Sequence, residues 1–167
     1  MSRINYQIAC QKIISGGQTG VDRGALDACI KHKFNCGGWC PKGRKAEDGV
    51  IPEQYPLIET PDLNHESRTH KNVSNAYGTL IISPGYLNGG TFYTFHVARV
   101  LKKPNLIISP DESEILSLVT NIVSWINKNS IQVLNVAGPR KSEWQAGYNL
   151  SYQIISALIY EIKKSAS

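Results

Sequence analysis

The sequence lacks any long hydrophobic run. No apolar stretch approaches the ~18 residues that a membrane-spanning helix needs, and residues 1–7 hold no apolar signal segment. An integral membrane protein is therefore excluded, and we expect a soluble, cytoplasmic protein with no membrane partner.

Cysteine is scarce and poorly spaced for a metal. The chain has four cysteines. The single Cys36-x3-Cys40 spacing is accompanied by no second Cys-x-x-Cys pair and no histidine partner. A zinc site and a disulfide framework are both disfavoured. We expect reduced thiols and no bound metal.

Neither low-complexity segments nor a strong charge imbalance marks the composition. Of 167 residues, 41% are hydrophobic and 19% are charged, which excludes collagen-like, coiled-coil and disordered chains. The length predicts one domain over residues 1–167. Lys and Arg exceed Asp and Glu by 18 to 13, leaving a net charge of +5. This excess favours an anionic small-molecule ligand and falls short of a nucleic-acid signature.

Short apolar runs alternate with amphipathic segments along the whole chain. The runs are continuous, which is typical of parallel strands covered on both faces. Strands are predicted at 13–14, 80–82, 106–108 and 133–136, with weaker candidates at 38–39 and 57–58. Helices are predicted at 22–33, 66–76, 92–103, 112–128 and 145–164. This order predicts an α/β fold, a Rossmann-like three-layer sandwich with a mostly parallel sheet.

The first glycine-rich loop, residues 15–22, joins a predicted strand directly to a helix. Gly16, Gly17 and Gly20 let backbone N–H groups approach an anion, and the helix N-terminus adds positive potential. The spacing differs from the dinucleotide fingerprint Gly-x-Gly-x-x-Gly, and no acidic residue follows at the distance that would hold a ribose. A phosphate or carboxylate site is one interpretation, and a tight turn capped by Asp22 is the other.

The second loop, residues 37–49, imitates a P-loop without its chemistry. Arg44 stands where the lysine would be and Lys45 where the Mg²⁺-binding Ser or Thr would be, which excludes a P-loop NTPase. Lys42 and Arg44 are candidates to clamp a phosphate, and Trp39 is a candidate to stack on a flat base or pterin. The alternative is a solvated loop with Trp39 in the core.

Two further loops follow later strands. Residues 83–91 end in Gly-Gly-Thr where a helix is about to begin, and residues 135–142 add the guanidinium of Arg140. In an open parallel sheet, ligands bind outside the carboxyl ends of the strands. We therefore expect all four loops to lie at one edge of the sheet.

Five segments together resemble one protein family. They are Ser15-Gly-Gly-Gln-Thr-Gly-Val-Asp-Arg23, Gly37-Gly-Trp-Cys-Pro-Lys-Gly-Arg-Lys-Ala-Glu-Asp-Gly49, Arg68-Thr-x-x-Asn72, Gly89-Gly-Thr91 and Asn135-Val-Ala-Gly-Pro-Arg140. The combination resembles the molybdenum carrier proteins, a family grouped with YpsA, over nearly the whole chain. That resemblance implies the Rossmann-like SLOG superfamily. It extends more distantly to the LOG phosphoribohydrolases, also called lysine decarboxylase-like, and to the DNA-processing protein DprA.

One position departs from the LOG pattern. The resemblance to those enzymes runs through a Pro-Gly-Gly-x-Gly-Thr-x-x-Glu stretch, whose glutamate acts in N-glycosidic cleavage with an arginine on the preceding helix. Arg68 matches that arginine, with an ordinary surface arginine as the alternative, but Thr94 stands where the glutamate would be. A hydroxyl cannot replace that carboxylate. Cleavage would need another carboxylate, from Asp22, Glu47 or Asp48.

The loops and the resemblance together predict a binding protein for a phosphate-bearing small molecule, either a nucleotide or a pterin cofactor such as the molybdenum cofactor. A nucleotide-processing hydrolase of the LOG type is the alternative, and a nucleic-acid binder of the DprA type is the third. No catalytic residue is assigned, and a homo-oligomer is expected. The candidate ligand-binding residues are Gly16, Gly17, Gln18, Thr19, Gly20, Asp22, Arg23, Trp39, Lys42, Arg44, Arg68, Gly89, Gly90, Thr91, Gly138 and Arg140.

Overall fold

Strands and helices alternate along the chain in the computed structural model, which describes residues 7–111 and 114–167. The strands are β1 (Lys12–Ile14), β2 (Cys36–Gly37), β3 (Trp39–Cys40), β4 (Lys45–Ala46), β5 (Gly49–Val50), β6 (Ile58–Glu59), β7 (Gly78–Ile82), β8 (Asn105–Ile108) and β9 (Val133–Ala137). The helices are α1 (Val21–Lys31), α2 (His65–Asn75), α3 (Gly89–Val100), α4 (Ile115–Lys128) and α5 (Gly147–Ser165). Residues 1–6, and the first two residues of the helix predicted at 112–128, lie outside the described residues.

Five parallel strands form the main sheet, in the order β2-β1-β9-β7-β8. The predicted α/β sandwich with a parallel sheet is therefore confirmed. Every residue of β7 is buried, as its continuous apolar run predicts for a central strand covered on both faces. Leu80 and Ile82 belong to the largest core cluster, whereas the equally buried Ile81 does not, because successive side chains of a strand point to opposite faces.

Helices cover both faces of the main sheet. On one face α5 packs against α1 and α4, and their apolar side chains fill the largest core cluster. On the other face α2 packs against α3 around Val73, Val97 and Ala98. The chain therefore builds the three layers that the sequence predicts. Among the described residues, no helix is both long enough and apolar enough to cross a membrane.

The strand order matches a known doubly wound order when the strands are numbered from β7 instead of from β1. Starting at β7 and passing from α5 back to β1, the sheet reads 2-1-3-4-5, which is the flavodoxin-like order. The two ends of the described chain lie together, since the Ile8 N–H donates to Ser165 Oγ at 3.0 Å. This arrangement is that of a doubly wound fold whose termini have been moved to another loop.

Two predicted strands do not join the main sheet. The weaker candidates at 38–39 and 57–58 correspond to β3 and β6, which pair with each other in a separate two-stranded parallel sheet. The backbone turns at Gly38, whose φ of 132° lies in the region that favours glycine, so that only β2 stays with the main sheet. Helix α3 begins at Gly89, three residues before the predicted start at 92.

The four glycine-rich loops follow β1, β2, β7 and β9 and therefore lie at the same edge of the sheet, because these strands are parallel. The expectation of a shared edge is confirmed. Strand order reverses between β7 and β9, and this point is where ligands bind in open parallel sheets.

We expect Gly38→Ala to destabilise the fold far more than Gly43→Ala. A Cβ on Gly38 would lie 2.0 Å from the carbonyl oxygen of Ser15, whereas a Cβ on Gly43 would meet nothing within 4 Å. Both glycines have positive φ, 132° for Gly38 and 78° for Gly43, so part of each loss comes from the backbone, and only Gly38 adds a steric clash. Urea unfolding should show a loss of about 1 kcal/mol for Gly43→Ala and of about 3 kcal/mol or more for Gly38→Ala. Equal losses would contradict the close approach between these loops.

Candidate functional site

A cleft of about 230 Å³ lies at the carboxyl edge of the sheet, where β1, β9 and β7 end. Half of the predicted site residues line it: Gly16, Gln18, Asp22, Arg68, Gly90, Thr91, Gly138 and Arg140. The structure adds lining residues that were not assigned from the sequence: His65, Thr69, Asn72, Thr94, Asn135, Val136, Ala137 and Glu143. The loops after three neighbouring strands and one face of α2 therefore meet around one space.

A buried ion pair forms part of the cleft wall. Arg68 Nη1 lies 3.0 Å from Asp22 Oδ2, and their side chains are only 14% and 6% exposed. The Gln18 N–H donates to the same carboxylate oxygen at 3.2 Å. Burial raises the pKa of Asp22, and the charge and hydrogen bond of Arg68 oppose that rise. The pair joins the loop after β1 to α2 and leaves little net charge at this wall.

The Arg68 guanidinium lies against the backbone of Gly16, so a side chain at this position would have to displace it. A Cβ on Gly16 would fall 1.6 Å from Arg68 Nη1. The Nε atom of Arg68 is buried and has no hydrogen-bond partner among the described residues. An unpaired donor is therefore left at the cleft, next to the ion pair.

The N-terminus of α3 opens on the cleft without a cap. Phe92 is the first residue of the helix whose N–H bonds back, to the Asn88 carbonyl at 3.0 Å, and the Asn88 side chain makes no capping bond. The N–H groups of Gly89, Gly90 and Thr91 therefore have no intrahelical partner. A Cβ on Gly90 would meet nothing within 4 Å, whereas one on Gly89 would lie 3.7 Å from Glu143 Oε1. The space is therefore open beside Gly90, and a carboxylate lies beside Gly89.

Arg140 extends into the cleft from the loop after β9. Its guanidinium is 48% exposed, and its Nε lies 3.4 Å from Glu143 Oε1 and 3.7 Å from Glu47 Oε2. These contacts are long and solvated, so they hold Arg140 weakly. Arg140 is thus a cation of the cleft that can turn toward a ligand at small cost.

Thr19 lies outside the cleft lining and, together with Gln18 and Glu47, connects three loops. The Thr19 hydroxyl donates to Glu47 and accepts from the Lys141 N–H at 3.2 Å, and Gln18 Oε1 accepts from the N–H groups of Thr19 and Glu47, at 3.0 Å each. Ser142 Oγ donates to Glu47 at 2.6 Å. Partial burial opposes the ionisation of Glu47, but the bonds from Ser142 and Thr19 outweigh it and lower its pKa. Glu47 therefore joins the second loop to the other two.

Arg23 lies outside the cleft lining and is held by three hydrogen bonds. Its guanidinium makes two bonds to Asp48, at 2.5 and 2.8 Å, and its Nε donates to the Gly17 carbonyl at 3.1 Å. The hydrogen bonds from Arg23 lower the pKa of Asp48. Asp48 was one of the carboxylates that could have replaced the missing glutamate of the LOG pattern. Its bonds to Arg23, itself a predicted ligand-binding residue, hold it away from the cleft.

Trp39 and Lys42 are not brought to the cleft either. The backbone of Trp39 exchanges two hydrogen bonds with the side chain of Asn72, at 2.8 and 2.9 Å. Lys71 Nζ lies 5.1 Å from the centroid of the Trp39 ring, so a cation occupies a face that a base or pterin would need. Lys42 is exposed on the second loop, and Gly17, Gly20 and Gly89 also fall outside the cleft lining.

Arg44 organises its own loop instead of a phosphate site. Its guanidinium donates to the carbonyls of Ile51, Leu57, Pro52 and Tyr55, at distances between 2.8 and 3.2 Å. These bonds bring residues 51–57 together under the second loop, beside the small core around Ile51. The structure thus turns the expected phosphate clamp into a structural arginine, because carbonyls distant along the chain use all of its donor atoms.

Four of the residues that line the cleft form a polar pattern that is visible in the sequence. His65, Arg68, Thr69 and Asn72 lie at i, i+3, i+4 and i+7 of α2 and therefore share one helix face. Polar residues at this helical spacing, with the candidate Arg68 among them, predict a binding site on one face of the helix. Partial burial lowers the pKa of His65, and the nearby charge of Arg68 lowers it further. The histidine is therefore neutral at pH 7 and offers one donor and one acceptor.

Thr94 lies in the cleft, one turn into α3, and its hydroxyl is already used. Thr94 Oγ1 donates to the Gly90 carbonyl at 2.9 Å. The carboxylates that line the cleft are Asp22 and Glu143 among the described residues. Of the three alternatives drawn from the sequence, only Asp22 is therefore placed where a carboxylate could act.

We expect Arg44→Ala to lower stability without affecting binding in the cleft. Losing a guanidinium that joins four carbonyls should reduce the free energy of unfolding by about 2–4 kcal/mol in urea titrations. Arg44→Lys should lose most of the same amount, because an ammonium cannot bridge four acceptors in a plane. Lys42→Ala, two residues away and exposed, is the control and should stay within about 0.5 kcal/mol of wild type. A stable Arg44→Ala variant would contradict this role.

The comparisons with known proteins agree with this geometry. The model of the circularly permutated YpsA SLOG family matches residues 13–159. A crystal structure from Syntrophus aciditrophicus, named "Putative molybdenum carrier protein", is 46% identical, with a TM-score of 0.89 over 93% of this chain and 99% of that one. The comparison with curated proteins gives no match. The strand order, which becomes regular only when the chain is read from β7, is what such a permutation produces. The chain belongs to the circularly permutated YpsA SLOG family.

Proposed function

We propose that this chain binds a phosphate-bearing small molecule, a nucleotide or a pterin cofactor such as the molybdenum cofactor, in the cleft between β7 and β9. The observation that carries the proposal is the open N-terminus of α3. Its first three N–H groups have no intrahelical partner and its cap side chain is unused, while the space beside Gly90 is free. Such a terminus favours an anion through its N–H donors and through the helix dipole.

Charge in the cleft supports an anion at one end only. Arg68 is neutralised by Asp22 at 3.0 Å, so it adds little attraction for a second negative group. Arg140 is half exposed and only weakly paired, and it extends from the loop after β9 toward the same space as α3. We therefore assign the phosphate to the α3 terminus and Arg140, and the rest of the ligand to the polar face of α2.

The size of the cleft limits the ligand. A volume of about 230 Å³ is below the ~300–1,000 Å³ of sites that enclose drug-sized molecules. It suits a phosphate with the adjoining sugar or ring, and a dinucleotide would extend beyond it. Because Lys71 covers a face of the Trp39 ring, the flat part of the ligand is not assigned to stack there.

The name of the structural relative makes a molybdenum compound a further candidate ligand. Molybdate is a tetrahedral dianion like phosphate, and N–H donors with an arginine suit either one. Among residues 7–111 and 114–167, no three His, Cys, Asp or Glu side chains come together as ligands for a bare metal ion. The donors of the cleft fit the anion or the phosphate of an organic carrier.

Nucleotide hydrolysis is the second candidate, and one observation favours it. Asp22 lines the cleft beside Arg68, and burial raises the pKa of its carboxyl, as is common for groups that transfer protons. Against it stands Thr94, whose hydroxyl donates to its own helix and cannot act as a base. Binding without rapid cleavage is therefore the function that the geometry supports best.

We expect Arg140→Gln to weaken binding of nucleoside monophosphates, phosphate or molybdate. Removing one exposed charge-assisted contact should raise Kd by roughly 5- to 10-fold in calorimetric titrations. Lys141→Gln is the matched control, since it removes the same charge from the next residue, which lines a different cavity, and it should leave Kd nearly unchanged. Equal effects of both variants would mean that only net charge matters. If none of the probes bound or raised Tm, the proposal would be wrong.

We expect the wild-type protein to bind nucleoside monophosphates without releasing free base, and Thr94→Glu to release it. The new carboxylate would stand one turn into α3 beside the anion site and could supply the missing acid–base group. Base release measured by chromatography should rise by about tenfold or more, while nucleotide affinity stays roughly intact. Thr94→Gln, which has the same length and no charge, should stay inactive. Rapid, stoichiometric release by homogeneous wild-type protein would overturn the binding-only conclusion.

A further inference from the structure

The carboxylate of Glu143 lies beside the proposed anion site. Its Oε1 is 3.4 Å from Arg140 Nε, and the same oxygen would lie 3.7 Å from a Cβ on Gly89, the first residue of α3. A turn after β9 fixes this position, because the N–H groups of Glu143 and Trp144 both donate to the Arg140 carbonyl, at 3.0 and 3.1 Å. A negative group is therefore placed next to both features that attract an anion.

Glu143 does not cap the helix beside it. Helix α3 has no acidic residue in its first turn, and a carboxylate there would ordinarily stabilise the helix by accepting from its free N–H groups. Among the described residues, no hydrogen bond joins the Glu143 side chain to α3, and its ion pair is the one with Arg140. The side chain is 31% exposed and lines the cleft. Its oxygens are therefore available to a ligand.

Two other carboxylates near the cleft are already held by hydrogen bonds. Asp22 accepts from Arg68 at 3.0 Å. Glu47 accepts from the Ser142 hydroxyl at 2.6 Å and from the Ser142 N–H at 3.1 Å. Glu143 differs from both, because its contact with Arg140 is long and solvated and can be exchanged for a ligand at small cost.

A carboxylate beside an anion site distinguishes anions by whether they carry a proton. An ionised carboxylate accepts hydrogen bonds and donates none. It therefore repels a fully ionised oxyanion but binds one that has an O–H group. Inorganic phosphate keeps an O–H group at neutral pH, and a phosphate monoester takes up its last proton with a pKa of about 6. Sulfate and molybdate, which have the same tetrahedral shape, are fully ionised at neutral pH and have no O–H group.

We propose that Glu143 determines specificity, because it accepts a hydrogen bond from a protonated phosphate and disfavours fully ionised oxyanions such as molybdate. This inference rests on the proposed function, since it needs the anion to lie between Arg140 and the start of α3. The N–H groups of α3 and the Arg140 guanidinium bind the ionised oxygens, and Glu143 binds the protonated one. Donors alone would not make this selection, because they attract every tetrahedral anion. The ligand class is a phosphate compound that binds with a proton on its phosphate.

The test is calorimetric titration of the full chain with sodium phosphate, sulfate and molybdate at pH 7 and constant ionic strength. We expect the wild type to bind phosphate at least about tenfold more tightly than sulfate or molybdate, which is the effect of one hydrogen bond to a charged group. Glu143→Gln should bind sulfate and molybdate several-fold more tightly, because the amide can donate to an ionised oxygen. Glu66→Gln is the control, since it removes the same charge from an exposed position of α2 outside the cleft lining, and it should leave all three Kd values unchanged.

Two results would overturn the assignment of Glu143. The wild type would bind all three anions alike, or Glu143→Gln would change all three Kd values by the same factor, which is an effect of charge alone. Either result leaves the anion site in place, because binding itself is observed. If no oxyanion binds to the wild type or to Glu143→Gln, the proposed function and this inference are both wrong. Glu143→Ala, which can neither accept nor donate, should also lose the preference for phosphate and serves if the Gln variant does not fold.

Discussion

The adjacency of β7 and β9 determines where the cleft lies and what faces it. The chain leaves β7 into α3 on one face of the sheet and leaves β9 into α5 on the opposite face. The two connections therefore diverge above neighbouring carboxyl ends, and neither covers the crevice between them. One connection supplies the open N-terminus of α3, and the other supplies Arg140 and Glu143. The strand topology alone thus places the N-terminus of α3 opposite the loop that carries Arg140 and Glu143.

Within this crevice, the Asp22–Arg68 pair limits how much positive charge the walls present. A charge removed from water needs partners, and Asp22 has both Arg68 and the Gln18 N–H, whereas the Nε of Arg68 has no partner among the described residues. The pair holds α2 against the loop after β1, and a side chain at Gly16 would have to displace the Arg68 guanidinium. Arg68 is therefore first a structural contact of the cleft wall, which is why the proposed anion site is assigned to the backbone of α3 and to Arg140 instead.

The central sheet could be predicted from sequence, because a run such as Leu80-Ile81-Ile82 is apolar at every position and needs cover on both faces. The same alternation of strands and helices predicted which edge of the sheet carries the candidate site. The roles of Arg44 and Thr19 could not be predicted, since their partners belong to residues 51–57 and to the loops at 47 and 141. A basic or hydroxyl side chain in a glycine-rich loop has the same local pattern whether it holds a phosphate or another loop.

A glycine in these loops is equally ambiguous in the sequence, because it can make room for a ligand or for another part of the protein. The atoms around each glycine in the structure distinguish the two. Of the three glycines that line the cleft, a Cβ on Gly138 would lie 2.2 Å from the Ile82 carbonyl oxygen and one on Gly16 would overlap Arg68, whereas Gly90 has open space. The first two glycines thus allow protein to approach protein. Gly90 leaves room beside donors that no other part of its helix uses. This difference supports the proposed anion site at α3, although the loop after β1 has the more conspicuous glycine pattern in the sequence.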